Sequence, residues 1–187
     1  MKTLILSLSM VTMSLVACGS ADSEKDSTKK EVALSTEDVT EEINNLKGLN
    51  NNLIAAEPAQ NFSAGKALYH SANEFVKKYP HHVKTPAVLE LSAKGAEAMQ
   101  QFQEAVNILD KLINEFPETE ETPNYMMNKA RIIEERMQKI EEAKVAYGEL
   151  IQRFPESQMA KDAKMYVDNF LGKSTEQVTQ MLDSINR

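Results

Sequence analysis

The sequence predicts an all-α fold, an array of antiparallel helix pairs with about eight helices. Three observations point to it. The chain carries only six Gly and six Pro in 187 residues, too few turn formers for a β-sandwich of many short strands. Three segments can be laid over one another: Phe75-Val-Lys-Lys-Tyr-Pro80, Leu112-Ile-Asn-Glu-Phe-Pro117 and Leu150-Ile-Gln-Arg-Phe-Pro155, with Pro-to-Pro spacings of 37 and 38 residues. The apolar residues before each Pro recur at helical spacing, as in Phe102, Ala105, Leu109, Leu112 and Ile113, or Ile140, Ala143, Tyr147, Leu150 and Ile151. Self-similarity at a fixed period of this size marks a helical repeat array.

Composition narrows the function classes. A formal net charge of −7 argues against a nucleic-acid partner, whose footprint is a basic patch. A single Cys excludes an internal disulfide framework and a multi-Cys metal cluster.

The first element is an address. Met1-Lys2 is a short positive start, and the apolar stretch from Thr3 to Val16 is too short to cross a membrane comfortably. It ends in Leu15-Val16-Ala17-Cys18-Gly19, which resembles the lipobox of bacterial lipoproteins. The resemblance implies a signal peptide over 1–17 and a membrane anchor through acylated Cys18. Residues 18–35 are rich in Ser, Asp and Lys with few apolar residues, too few to offset the entropy of folding, and are expected to be a flexible tether. Asp22-Ser23-Glu24 close to the Cys resembles a surface-export signal of Bacteroidota lipoproteins.

The repeat domain is expected over 36–187. Its first helix carries Val39, Ile43, Leu46, Leu49 and Leu53 on one side, and Pro58 separates it from a second helix over about Phe62–Tyr79. Thr85-Pro86 and Thr122-Pro123 open the following helices, with Thr expected as N-cap and Pro at N1. Ala105 and Ala143 are small where paired helices should approach closely. After Pro155, Ala160, Ala163, Tyr166, Val167 and Phe170 form another helix with Gly172 at its end. Ser174-Thr-Glu-Gln177 has the pattern of a capping box. It opens a last amphipathic helix through Val178, Met181, Leu182 and Ile185, expected to cover the open end of the stack.

The alanine, the large residue four later and the terminal Pro resemble the second helix of the tetratricopeptide repeat family. The first-helix positions depart from it: Ala93 and Arg131 stand where the family has Gly, and Ala96 and Glu134 where it has Tyr. The resemblance implies a right-handed superhelix (a TPR-like solenoid) whose first helices line a concave groove. On that basis the groove would show Glu90, Lys94, Glu97, Tyr125, Asn128, Ile132 and Glu135. Of the adjacent pair Met126 and Met127, one is expected to face the groove beside Tyr125, because neighbours on a helix point about 100° apart. Together with the lipobox, the pattern resembles the repeat lipoproteins and periplasmic repeat proteins of Gram-negative envelopes, including those of outer-membrane β-barrel assembly and Tol–Pal coordination, and the ending FLGKSTEQ a Bacteroidota set. That implies an outer-membrane lipoprotein facing the periplasm and binding another envelope protein or peptide.

Little in the sequence suggests chemistry. His70, His81 and His82 are the only histidines, no phosphate-cradling Gly-rich loop or HExxH occurs, and no catalytic residue, metal or cofactor is expected. The carboxylates lie in runs such as Glu118-Thr-Glu-Glu121, the pattern of a solvated surface. Two other readings compete with the scaffold. A peptidoglycan-acting envelope enzyme would need a recessed Glu, and a small-ligand-binding lipoprotein would need a deep aromatic pocket, which the absence of Trp disfavours.

Overall fold

The computed structural model describes residues 36–185. The expectations for the signal peptide 1–17, for Cys18 and the tether 18–35, and for Asn186 and Arg187 fall outside the described residues. Within them lie eight α-helices: α1 (Thr36–Ile54), α2 (Asn61–Lys78), α3 (Thr85–Ala98), α4 (Phe102–Glu115), α5 (Thr122–Arg131), α6 (Ile140–Arg153), α7 (Gln158–Asn169) and α8 (Thr175–Ile185). A π-helical turn, Ile132–Arg136, continues α5, and no strand occurs among the described residues. The fold is a tetratricopeptide-like helical solenoid.

Each helix from α1 to α6 packs on the next in order. Two further contacts join odd-numbered helices, α1 with α3 and α5 with α7, while among the described residues no two even helices pack comparably. A stack whose odd members approach one another and whose even members splay apart curves with the odd helices inside.

The aromatic-Pro segments stop the even helices by one repeated geometry. Tyr79, Phe116 and Phe154 have φ/ψ of −129/60, −130/62 and −131/53, and each still donates its N–H to the carbonyl four residues back. Pro at 80, 117 and 155 disfavours the helical region for the residue before it, which forces these values.

The two threonines do not cap helices as the sequence suggests. Both lie inside the first turn, Thr85 2% and Thr122 0% exposed, and neither α3 nor α5 has a side-chain cap. A buried hydroxyl must find an acceptor, and the nearest carbonyl is one left over at the end of the previous helix. Thr85 Oγ1 donates to Tyr79 O at 2.6 Å, and Thr122 Oγ1 to Phe116 O at 2.7 Å. In the shorter turn after α6, Ser157 does both jobs. Its Oγ donates to Phe154 O at 2.9 Å and accepts from Ala160 N at 3.1 Å.

The unequal repeat spacing has a local cause. Each odd helix of the two central pairs ends in a left-handed glutamine, Gln100 (φ 61°) and Gln138 (φ 57°). From Thr85 to Gln100 the chain advances 15 residues, from Thr122 to Gln138 16, while both stretches from Gln to the next Pro are equal. The extra residue therefore lies in the second odd helix. The π-turn absorbs it, with Met137 N reaching back five residues to Ile132 O at 3.1 Å.

The core forms two clusters. Leu46, Leu68, Ala72, Phe75, Tyr79 and Val88 close the first pair, with Val39, Ile43, Leu49 and Leu53 packed against it as the sequence pattern requires. The larger cluster runs through α3 to α7 and includes Ala105 and Ala143, both fully buried. Between α2 and α3 the backbones nearly touch. A Cβ added at Gly95 would lie 2.8 Å from both Gly65 O and Tyr69 N, and one at Gly65 would lie 2.6 Å from Ala98 Cβ.

The capping box forms: Ser174 N donates to Gln177 Oε1 at 2.9 Å, and Gln177 N to Ser174 Oγ at 3.2 Å. α8 nevertheless does not cover the end of the stack, since it makes no extensive packing with any other helix. The outward side of α7 exposes Lys161, Lys164 and Asp168, with Met165 the exposed apolar residue among them. That offers too little apolar surface to hold a docked helix. Gly172, at φ +73°, turns the chain two residues beyond Phe170, the C-cap of α7.

Candidate partner-binding face

The inner face of the curve is built by the outward-turned stripes of α3 and α5. On α3 these include Ala87, Glu90, Lys94 and Glu97, and on α5 Asn124, Asn128 and Arg131, all exposed or half-buried. Of the residues the sequence assigns to a groove, Glu90, Glu97 and Asn128 are half-buried, Lys94 is exposed, and Glu135 is exposed on the π-turn.

Tyr125 and Ile132 are corrected by the structure. They are 3% and 2% exposed and belong to the core cluster, as does Met126 at 2%. The physical reason is phase. α5 points Thr122, Tyr125, Met126 and Ala130 inward, so the stripe Tyr125–Asn128–Ile132–Glu135 crosses from core to surface. Met127 is half-buried and packs against the same core cluster. Burial pushes the Tyr125 phenol up to about 12, helped by the charges of Glu90 and Glu121.

The accessible charged residues form one isolated ion pair and one cluster of four. Lys94 Nζ meets Glu90 Oε1 at 2.8 Å one turn away. Arg131 Nη2 crosses from α5 to Glu97 Oε2 at 2.9 Å, its Nη1 reaches Glu135 Oε2 at 3.2 Å, and Arg136 Nε reaches Glu97 Oε1 at 3.2 Å. Partial burial opposes charge on Arg131, but the bonds and charges of Glu97 and Glu135 outweigh it and hold the guanidinium above its usual pKa. Sequence reasoning missed Arg131 and Arg136 as members of the face. The available clue was their distance from Glu97, 34 and 39 residues, close to one repeat and hence at a similar height in the next odd helix.

Beside this cluster lies an open cleft of about 550 Å³. Lys94, Glu97 and Arg136 wall one side, and Leu53, Phe62 and Phe102 give it apolar surface. Phe62 is 56% exposed. Charged donors beside a bare aromatic ring suit a peptide segment better than a small enclosed ligand.

The π-turn aims Glu134 the other way. Its carboxylate accepts from Tyr147 OH at 2.9 Å and from Tyr166 OH on α7. Burial first, then these bonds to Glu134, push both phenols up, Tyr166 to about 12. Glu134 is thus a structural tie between α5, α6 and α7. Among the described residues no group of three or more His, Cys, Asp or Glu is placed to hold a metal ion, and no helix is long and apolar enough to cross a membrane.

No curated protein matches the chain in a sequence search. A family model described as tetratricopeptide repeat matches residues 88–119 and 125–157. These two stretches take in most of α3 with α4, and most of α5 with the π-turn and α6. Repeats of this kind indicate a protein–protein interaction scaffold. The two helix pairs at the centre of the solenoid are thus the part of the chain that is similar to tetratricopeptide repeats.

Proposed function

We propose that the chain is a lipid-anchored scaffold of a bacterial envelope that binds a protein or peptide partner through the inner face of α3 and α5. The observation that carries the binding face is the union of two matched repeats with the Glu90–Lys94 and Glu97–Arg131–Arg136 pairs beside the Leu53–Phe62–Phe102 cleft. A partner with an apolar residue next to polar or charged ones complements this surface. The support for the anchor is separate and rests on Leu15-Val16-Ala17-Cys18-Gly19. An acylated Cys18 would hold the repeats at the outer membrane facing the periplasm, consistent with a role in outer-membrane assembly or envelope maintenance.

Each half has its own test. Recovery from solubilised membranes of a stoichiometric partner that is lost in the Glu90→Ala/Lys94→Ala/Asn128→Ala variant supports the face, and retention of the partner by that variant refutes it. Mass spectrometry of the mature N-terminus should find acylated Cys18, and an unmodified terminus refutes the anchor.

A further inference from the structure

A second cleft, of about 990 Å³, opens between the C-terminal ends of α2 and α4, at the turn that leads into α3. Its lining is cationic and apolar together. Lys77 comes from α2 and Lys111 from α4, and Val76, Val83 and Phe116 supply apolar surface. Glu115 is the one acid among the described residues that line it. Lys84 follows Val83 on the turn. Lys77 and Lys84 are exposed and form no ion pair among the described residues, and Lys111 reaches Glu115 only at 4.0 Å. Val83 is 81% exposed. In a chain of net charge −7, unpaired lysines around bare apolar side chains form a local site for an anionic partner.

The turn is ordered before any partner arrives. Thr85 Oγ1 donates to Tyr79 O, Lys84 N donates to His82 Nδ1 at 3.1 Å, and the His82 ring stands edge-on to Phe75 at 5.9 Å. Side chains on such a turn lose little further entropy when they are engaged. The next repeat builds the same turn with other side chains. Phe116, Thr122 and Pro123 keep the places of Tyr79, Thr85 and Pro86, but His81, Val83 and Lys84 give way to Glu118, Glu120 and Glu121, Lys77 to Asn114, and Lys111 to Glu149. Either set satisfies the fold. The cationic, apolar lining beside α2 is therefore not a requirement of the turn.

We propose that this cleft binds an acidic polypeptide segment that carries an apolar side chain. The apolar side chain lies against Val76, Val83 and Phe116, and the carboxylates on either side of it meet Lys77, Lys84 and Lys111. Because the three lysines come from α2, the turn and α4, and the cleft is open and partly apolar, an extended segment fits it better than a small anion. Its ion pairs are exposed, so binding is weak and salt-sensitive. The cleft shares no residue with the inner face of α3 and α5 or with the Leu53–Phe62–Phe102 cleft, so this second site stands or falls independently of that proposal.

The test uses the purified full chain and labelled synthetic peptides, one alternating Glu with Phe and one alternating Lys with Phe. Binding is read by fluorescence anisotropy at about 10 mM salt, where charges act over about 30 Å. The Glu/Phe peptide should bind and the Lys/Phe peptide should not. Lys77→Glu/Lys84→Glu should weaken the Glu/Phe peptide by at least about tenfold and confer binding of the Lys/Phe peptide, a gain that only a folded variant can show. Lys47→Glu/Lys144→Glu changes the net charge equally at exposed positions of α1 and α6 and should leave the affinity within about twofold. A photo-crosslinking residue at Val83 should join the Glu/Phe peptide. No binding of that peptide, an equal loss in both double variants, undiminished binding of a Glu/Ser peptide, or an adduct from position 83 only with another copy of the chain overturns the proposal.

Discussion

Arg131 and Glu97 lie 34 residues apart in sequence and are joined at 2.9 Å across the boundary between α5 and α3. Glu97 serves Arg136 as well, so one carboxylate organises two guanidinium groups on the candidate face. Glu97→Ala removes the acceptor from both. The side chains of Arg131 and Glu97 are only 33% and 19% exposed, so leaving Arg131 with Glu135 alone should cost about 1 kcal/mol, read from the midpoint of urea unfolding. Arg131→Lys keeps the charge but loses the fork that spans Glu97 and Glu135, and should cost a smaller part of this.

The glycines separate into two kinds. Gly95 and Gly65 sit where a Cβ would meet backbone or another Cβ below 3 Å, whereas a Cβ at Gly148 on α6 meets nothing within 4 Å. Gly95→Ala should therefore destabilise by about 1–3 kcal/mol, because α2 and α3 must part. Gly148→Ala should stabilise by about 0.5–1 kcal/mol, because an exposed helix position gains from alanine. Thermal unfolding of the two variants should shift in opposite directions.

Gln100 and Gln138 hold positive φ at 61° and 57°, a region that disfavours a residue with a Cβ. Gln100→Gly and Gln138→Gly should each raise stability by up to about 1 kcal/mol. If either loses stability by chemical denaturation, the glutamine side chain contributes something beyond the turn.

The raised phenols impose an alkaline limit. Tyr125 and Tyr166 are pushed to about 12, Tyr147 is also raised, and an unfolded tyrosine ionises near 10. Below pH of about 10 both states hold the proton and the contribution is fully present; above it the unfolded state releases protons first, so stability falls from pH of about 10 to about 12. Phenolate absorbance should rise together with loss of helix in that window. Tyr166→Phe should make the slope shallower while removing one bond to Glu134.

Much of the fold was legible because aromatic-Pro pairs stop helices by a local steric rule at Pro80, Pro117 and Pro155, and because Ser174 and Gln177 complete a box within one turn. What escaped depends on longer-range geometry. The hydroxyls of Thr85 and Thr122 look like caps in sequence, and only the burial of the first turn diverts them to Tyr79 O and Phe116 O. The spacings of 37 and 38 residues announced an extra residue but not its place in α5. Exposure was legible on α3 for the charged Glu90, Lys94 and Glu97, although the polar Thr85 and Ser92 are buried there. It was misread on α5, where Tyr125, Met126, Met127, Ile132 and Ile133 surround much of the helix and the phase is set by packing. α8 has an amphipathic pattern, but whether it docks depends on the surface α7 offers.

The claim that the inner face of α3 and α5 holds a partner is tested most directly by photo-crosslinking in intact cells. One residue is placed on that face and one on an even helix: Asn128, half-buried on α5, and Lys144, exposed on α6. A specific partner adduct is expected from position 128, reduced by Glu90→Ala/Lys94→Ala, with none from position 144. An adduct from position 144 with none from position 128 would contradict the assignment of the face.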